Sequence, residues 1–132
     1  MSVKSRSPLK GPIGASLTAL SIGAATIVSV NVLFTVITGA PLNLSEELPV
    51  LLFQAVWVTI PFFLLAMLRV ENYRPWLIGV GLTVAFWSFY LFVGITSRGD
   101  GSGANIGLGL LILISPIPIA IASVVTARNY KN

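Results

Sequence analysis

Apolar residues run along this chain in four blocks that contain no Asp, Glu, Lys or Arg. The blocks lie between Lys10 and Glu46, Glu47 and Arg69, Arg74 and Arg98, and Asp100 and Arg128. At about 1.5 Å per helical residue, each is long enough to cross the roughly 30 Å hydrocarbon core of a bilayer. The pattern predicts an all-α integral membrane bundle of four transmembrane helices, a single domain over residues 1–132, with spans near 13–38, 49–68, 76–96 and 103–127. The first span exceeds the core thickness, so it must tilt or extend into the headgroups. A cleaved signal peptide is its rival reading. That reading is disfavoured because the apolar run is longer than an h-region of about 7–15 residues and Pro41 would follow the scissile bond.

Punctuating residues refine these spans. Ser45 is the expected N-cap of the second, with Glu46 and Glu47 in its first turn, where the helix dipole favours carboxylates. Pro75 suits the start of the third span. Pro61 lies inside the second, where it should free a carbonyl one turn back and kink the helix. Pro116 and Pro118, near the centre of the fourth, should bend or locally unwind it.

The charges between the blocks give orientation. Lys4, Arg6, Lys10, Arg69, Arg74, Arg128 and Lys131 fall on one side, and only Arg98 on the other. By the positive-inside rule the first side is cytoplasmic, which puts the N-terminus and the C-terminus inside. Glu46, Glu47 and Asp100 run the opposite way, with Glu71 inside. Tyr73, Trp76 and Tyr130 fall where an inner aromatic belt belongs. A plasma membrane, the bacterial inner membrane in particular, is the expected location.

Composition narrows the function classes. Hydrophobic residues make up 55% and charged residues 9% of the chain, against about 25% charged in soluble domains, too few to clothe a water-facing surface. The net charge of +4 is spread over juxtamembrane positions without a groove-sized patch. It points to lipid headgroups, and nucleic acid is not an expected partner. The chain has no cysteine and no histidine, which removes thiol chemistry, disulfides and the commonest metal and haem ligand. No cofactor or metal is expected. With no Asp, Glu, Lys, Arg or His inside any span, proton-coupled transport, electron transfer and intramembrane hydrolysis lack their usual groups, and an enzyme is not expected.

Inside the spans, small and polar residues form two patterns. At roughly 100° per residue, Gly14, Thr18, Ser21, Ala25 and Ser29 make a narrow stripe on the first span, the expected helix-packing face. Ala24, Asn31, Thr35 and Thr38 make a second, more polar face, and Gly79/Thr83 and Gly103/Gly107 are shorter small-residue pairs. Asn31, Gln54 and Tyr90 fall at one depth, roughly 6–8 Å outward from the midplane by helix rise. Either they hold the bundle together by interhelical hydrogen bonds or they line a polar cavity open to the outside. Trp57 and Trp87 sit near the midplane, where packing against kinked helices is the first explanation and a hydrophobic ligand or lipid site the alternative.

Several short matches carry no function. Arg98-Gly99-Asp100 reads as a Gly-rich turn with Asp100 or Ser102 capping the fourth span, and the sequon Asn43-Leu44-Ser45 as part of a turn and cap. Val30-Asn31-Val32-Leu33 resembles a segment of the small four-span fluoride channels. In that family the asparagine lies on the second span and a phenylalanine-rich Ser/Thr motif follows on the third; neither holds here, and no function is carried over. Small multidrug transporters are similar in size and span number, but depend on a glutamate embedded in the first span, which this chain lacks.

The leading expectation is a non-catalytic structural or accessory role, with the chain packing against itself as a homo-oligomer or against a larger membrane complex. The alternative is a small homodimeric channel or transporter for a small solute, using the Asn31/Gln54/Tyr90 level and the kinks at Pro61, Pro116 and Pro118.

Overall fold

A computed structural model describes residues 9–96 and 103–130. It is all-helical, with α1 Pro12–Thr38, α2 Leu44–Met67, α3 Tyr73–Thr96, α4 Gly103–Ile114 and α5 Pro116–Asn129. Among the described residues four stretches are long and apolar enough to cross a membrane: α1, α2, α3, and Ile106–Asn129, which joins α4 to α5. Lys4, Arg6, Lys131, the Arg98-Gly99-Asp100 turn and Ser102 lie outside the described residues.

The helix ends explain where the expected boundaries shift. α1 closes on Gly39, whose left-handed φ of 64° lets its N–H donate to the Thr35 carbonyl at 2.8 Å. α2 begins ahead of Pro49 because the Asn43 carbonyl accepts the N–H groups of both Glu46 and Glu47, closing a turn before the proline. Ser45 is consequently inside the helix and not its cap; its hydroxyl donates to Asn43 Oδ1 at 2.9 Å. α2 ends in a Schellman turn: Val70 N–H donates to the Leu65 carbonyl and Arg69 N–H to that of Ala66. Arg69 takes the left-handed position, at φ 53°. α3 then starts at Tyr73, with Asn72 Oδ1 accepting the Arg74 N–H at 3.1 Å, so Pro75 falls within the first turn.

α2 runs unbroken through Pro61, which is buried. The fourth span is divided at Ser115, but Ser115 keeps helical torsions of φ −53° and ψ −37°, and its N–H still donates to the Leu111 carbonyl at 2.9 Å. The paired prolines therefore interrupt bonding without unwinding the chain at that residue. The carbonyl that Pro116 leaves without its helical donor is Ile112, and it accepts the Trp57 indole N–H at 3.0 Å and the Ser115 hydroxyl at 2.8 Å.

α1 lies along α2, and α2 and α3 both pack on α5; α4 approaches chiefly its own continuation, α5. Two cores result. One, toward the end that carries Arg69, Arg74 and Arg128, holds Ala15, Ala19, Phe62, Leu65, Trp76 and Ala127; the other, toward Glu46 and Glu47, holds Ile27, Val30, Val58, Trp87 and Ile112. These are called the basic and the acidic end below. Two glycines let neighbouring helices approach closely. A Cβ on Gly23 would strike Thr59 Oγ1 and lie 2.7 Å from the Ala55 carbonyl, and one on Gly79 would lie 2.9 Å from both the Phe62 ring and Ser123 Oγ.

The buried face of α1 is Ala15, Ala19, Gly23, Ile27 and Val30. This corrects the expected stripe by about one residue. Gly14 and Thr18 are half-buried, while Ser21, Ala25 and Ser29 are exposed. The hydroxyls of Thr18 and Ser21 donate to the Gly14 and Leu17 carbonyls of their own helix, each at 2.8 Å, so neither needs a neighbouring helix. Ala15, Ala19 and Gly23 are as small and continue into Ile27 and Val30, which adds apolar contact that the hydroxyl-bearing face lacks. Trp76 likewise leaves the expected belt: it is 4% exposed and donates its indole N–H to the Val70 carbonyl at 3.0 Å. Tyr73 and Tyr130 are exposed, and the Arg74 guanidinium lies 4.8 Å over the Tyr130 ring, joining the start of α3 to the end of α5.

Candidate functional site: a polar chamber at the acidic end

Four helices and one turn line a chamber of about 270 Å³ at the acidic end. α1 contributes Asn31 and Thr35, which share a face by their spacing of four; α2 contributes Glu47 and Gln54, two turns apart on one face. α3 supplies Trp87 and Tyr90, and the 40–42 turn and Leu108 of α4 border the space. Gly94 keeps the α3 wall open, with nothing within 4 Å of where a Cβ would stand.

Asn31, Gln54 and Tyr90 thus line one cavity, but they do not bond one another. Asn31 Nδ2 donates to the Ile27 carbonyl of its own helix at 2.8 Å, leaving Oδ1 as an acceptor. The side chains of Gln54 and Tyr90 have no hydrogen-bond partner among the described residues. The Tyr90 ring meets Trp87 edge-on with centroids 5.0 Å apart. Trp87 is 3% exposed and forms the floor with Val30. Beneath it come Ile27, Val58, Phe62 and Leu65, none more than 6% exposed, and the close crossing of Gly23 with Thr59. The chamber is blind.

The three prolines expected to kink the helices lie elsewhere. Pro61 is buried beside Phe62 below the floor, and Pro116 is buried at a separate shallow surface with Trp57. Pro118 is exposed. None of the three borders the chamber.

Glu47, in the first turn of α2, joins the polar level although its place in the sequence has a sufficient explanation in the helix dipole. Its seven-residue spacing from Gln54 is the signal that joins them. Glu47 supplies the chamber's carboxylate, and no basic side chain lines it among the described residues. Among the described residues the lining holds no Ser, Cys or Lys beside a base, and no three His, Cys, Asp or Glu gather into a metal-holding group. What the lining offers is a set of hydrogen-bonding groups beside two aromatic rings, a pattern suited to binding. No family model, curated protein or solved structure matches this chain.

Proposed function

We propose that this chain is a non-catalytic, four-span plasma-membrane protein with both termini cytoplasmic, which serves as an accessory subunit and recognises a small solute in the chamber at its outer, acidic end. The blind chamber carries this reading. Its polar lining provides for binding, whereas its packed floor gives the solute no way through a single copy. Binding without chemistry or passage is the work of a subunit that acts through a neighbour.

The surface supports a bilayer as solvent. Ile13, Val36, Met67 and Ile106 are each at least 67% exposed, and similarly exposed apolar side chains cover every span; monomers in water do not show apolar faces of that extent. Ser21, Ala25 and Ser29 lie on the outer surface of α1 and give a partner helix a place of close approach. Lys10, Arg69, Arg74 and Arg128 at one end and Glu46 and Glu47 at the other support the orientation.

Gentle extraction of the tagged protein followed by native mass spectrometry tests the accessory role, with a larger partner or a defined homo-oligomer expected at fixed stoichiometry. A monomer alone would contradict it. The dimeric-channel alternative uses the same Asn31, Gln54 and Tyr90 and requires flux across reconstituted vesicles that Asn31→Leu and Gln54→Leu abolish. The blind chamber leads us to expect none.

A further inference from the structure

The chamber has a second space against its wall. Between α1 and α2 runs a lateral groove of about 450 Å³, lined by Val28, Leu48, Leu52 and other apolar side chains with almost no polar surface. Asn31, Thr35 and Leu42 line both the groove and the chamber, so the two spaces abut. One sets polar groups among apolar side chains and is closed below; the other is apolar and faces the surroundings of the bundle.

We propose that the two together bind an amphiphilic ammonium compound, with its cationic head in the chamber and its alkyl tail in the α1/α2 groove. This rests on the solute-recognition reading above and names the ligand class. The charge of the head follows from the lining: Glu47 is a carboxylate, Asn31 Oδ1 and the Gln54 carboxamide oxygen are acceptors, and no described basic side chain would hold an anion. The aromatic rings of Tyr90 and Trp87 also line the chamber, and such rings attract an organic cation. A space of about 270 Å³ fits a head of ammonium or trimethylammonium size with room for solvent.

The groove argues for a tail. Its lining would gain from apolar burial, and it opens sideways, where a chain held in a bilayer already lies. An ammonium compound without a tail would leave the groove to lipid. The shared wall at Asn31, Thr35 and Leu42 lets one molecule occupy both spaces.

Titration calorimetry of the full chain in uncharged maltoside micelles tests this with choline, octyltrimethylammonium and octyl sulfate. Octyltrimethylammonium is expected to bind at least about tenfold more tightly than choline, and octyl sulfate not to bind. Glu47→Gln should weaken both cations about tenfold or more. Val28→Trp, at an outward-facing groove position, should bring octyltrimethylammonium down to the level of choline and leave choline unchanged, which separates loss of the groove from loss of fold. Equal binding by Glu47→Gln and the parent chain, or binding of octyl sulfate, would overturn the cationic head. Choline binding as tightly as the octyl compound, or no effect of Val28→Trp, would overturn the tail and leave a free amine as ligand. No binding by either cation would overturn the ligand class, while the partner measurement above still tests the accessory role on its own.

Discussion

Trp57 of α2 donates its indole N–H to the carbonyl of Ile112 in α4 at 3.0 Å, and Ile112 is the residue whose helical donor is missing because position 116 is proline. A tryptophan near mid-helix thus supplies from a neighbour the hydrogen bond that a proline removes. It also ties α4, the helix with the least backbone contact to the rest, to α2.

Trp57→Phe keeps the ring and removes the donor. Its expected cost is about 0.6 kcal/mol and less than about 2, the range for hydrogen bonds between membrane helices. In a Pro116→Ala background the helix regains its own N–H donor, so the cost should fall toward zero. A double-mutant cycle by reversible unfolding in mixed micelles reads this coupling; equal costs in both backgrounds would show that the indole acts only by packing.

Gly23 and Gly81 are contrasting positions. At Gly23 an added methyl meets Thr59 Oγ1 and the Ala55 carbonyl, and a backbone atom cannot rotate away. Gly23→Ala should separate α1 from α2 and cost about 1–3 kcal/mol. Gly81 has nothing within 4 Å of its Cβ position, so Gly81→Ala should be neutral or stabilise the helix by up to about 1 kcal/mol. The same unfolding assay compares them, and similar effects at both sites would contradict the tight crossing.

Ser123 is fully buried in α5, and its Oγ has no hydrogen-bond partner among the described residues. A buried hydroxyl without a partner costs about 1–3 kcal/mol. Ser123→Ala should therefore leave stability unchanged or raise it within that range, although serine stands close against Gly79. A loss of stability in the thermal unfolding of Ser123→Ala would show that the hydroxyl finds a partner in the membrane.

The spans were legible because a bilayer forbids charge in the interior of a helix, and the blank stretches mark their own limits. Ser45 and Pro75 are not the boundaries their residue types suggest, because the closing bonds come from groups with weak sequence signals, the Asn43 carbonyl and the Asn72 side chain. The α1 face was misplaced because two small-residue lines run side by side. Only the partner surface, with Thr59 and Ala55 opposite Gly23, decides between them. Asn31, Gln54 and Tyr90 share a depth that helix rise alone gives, and they share a chamber. Glu47 joined them less visibly: a carboxylate in a first turn has a sufficient local explanation, and its second role depends on how α1 and α3 surround it.

The absence of cysteine lets one substitution probe the chamber directly. With Gln54→Cys as the single thiol, a small membrane-impermeant methanethiosulfonate applied to intact cells should modify position 54, deep in an apolar span, from the outside. Asn72→Cys, in the turn between α2 and α3, should react only after the membrane is opened. Modification of position 54 from the cytoplasmic side alone, or from neither side while position 72 reacts normally, would contradict an outward-opening chamber and the function built on it.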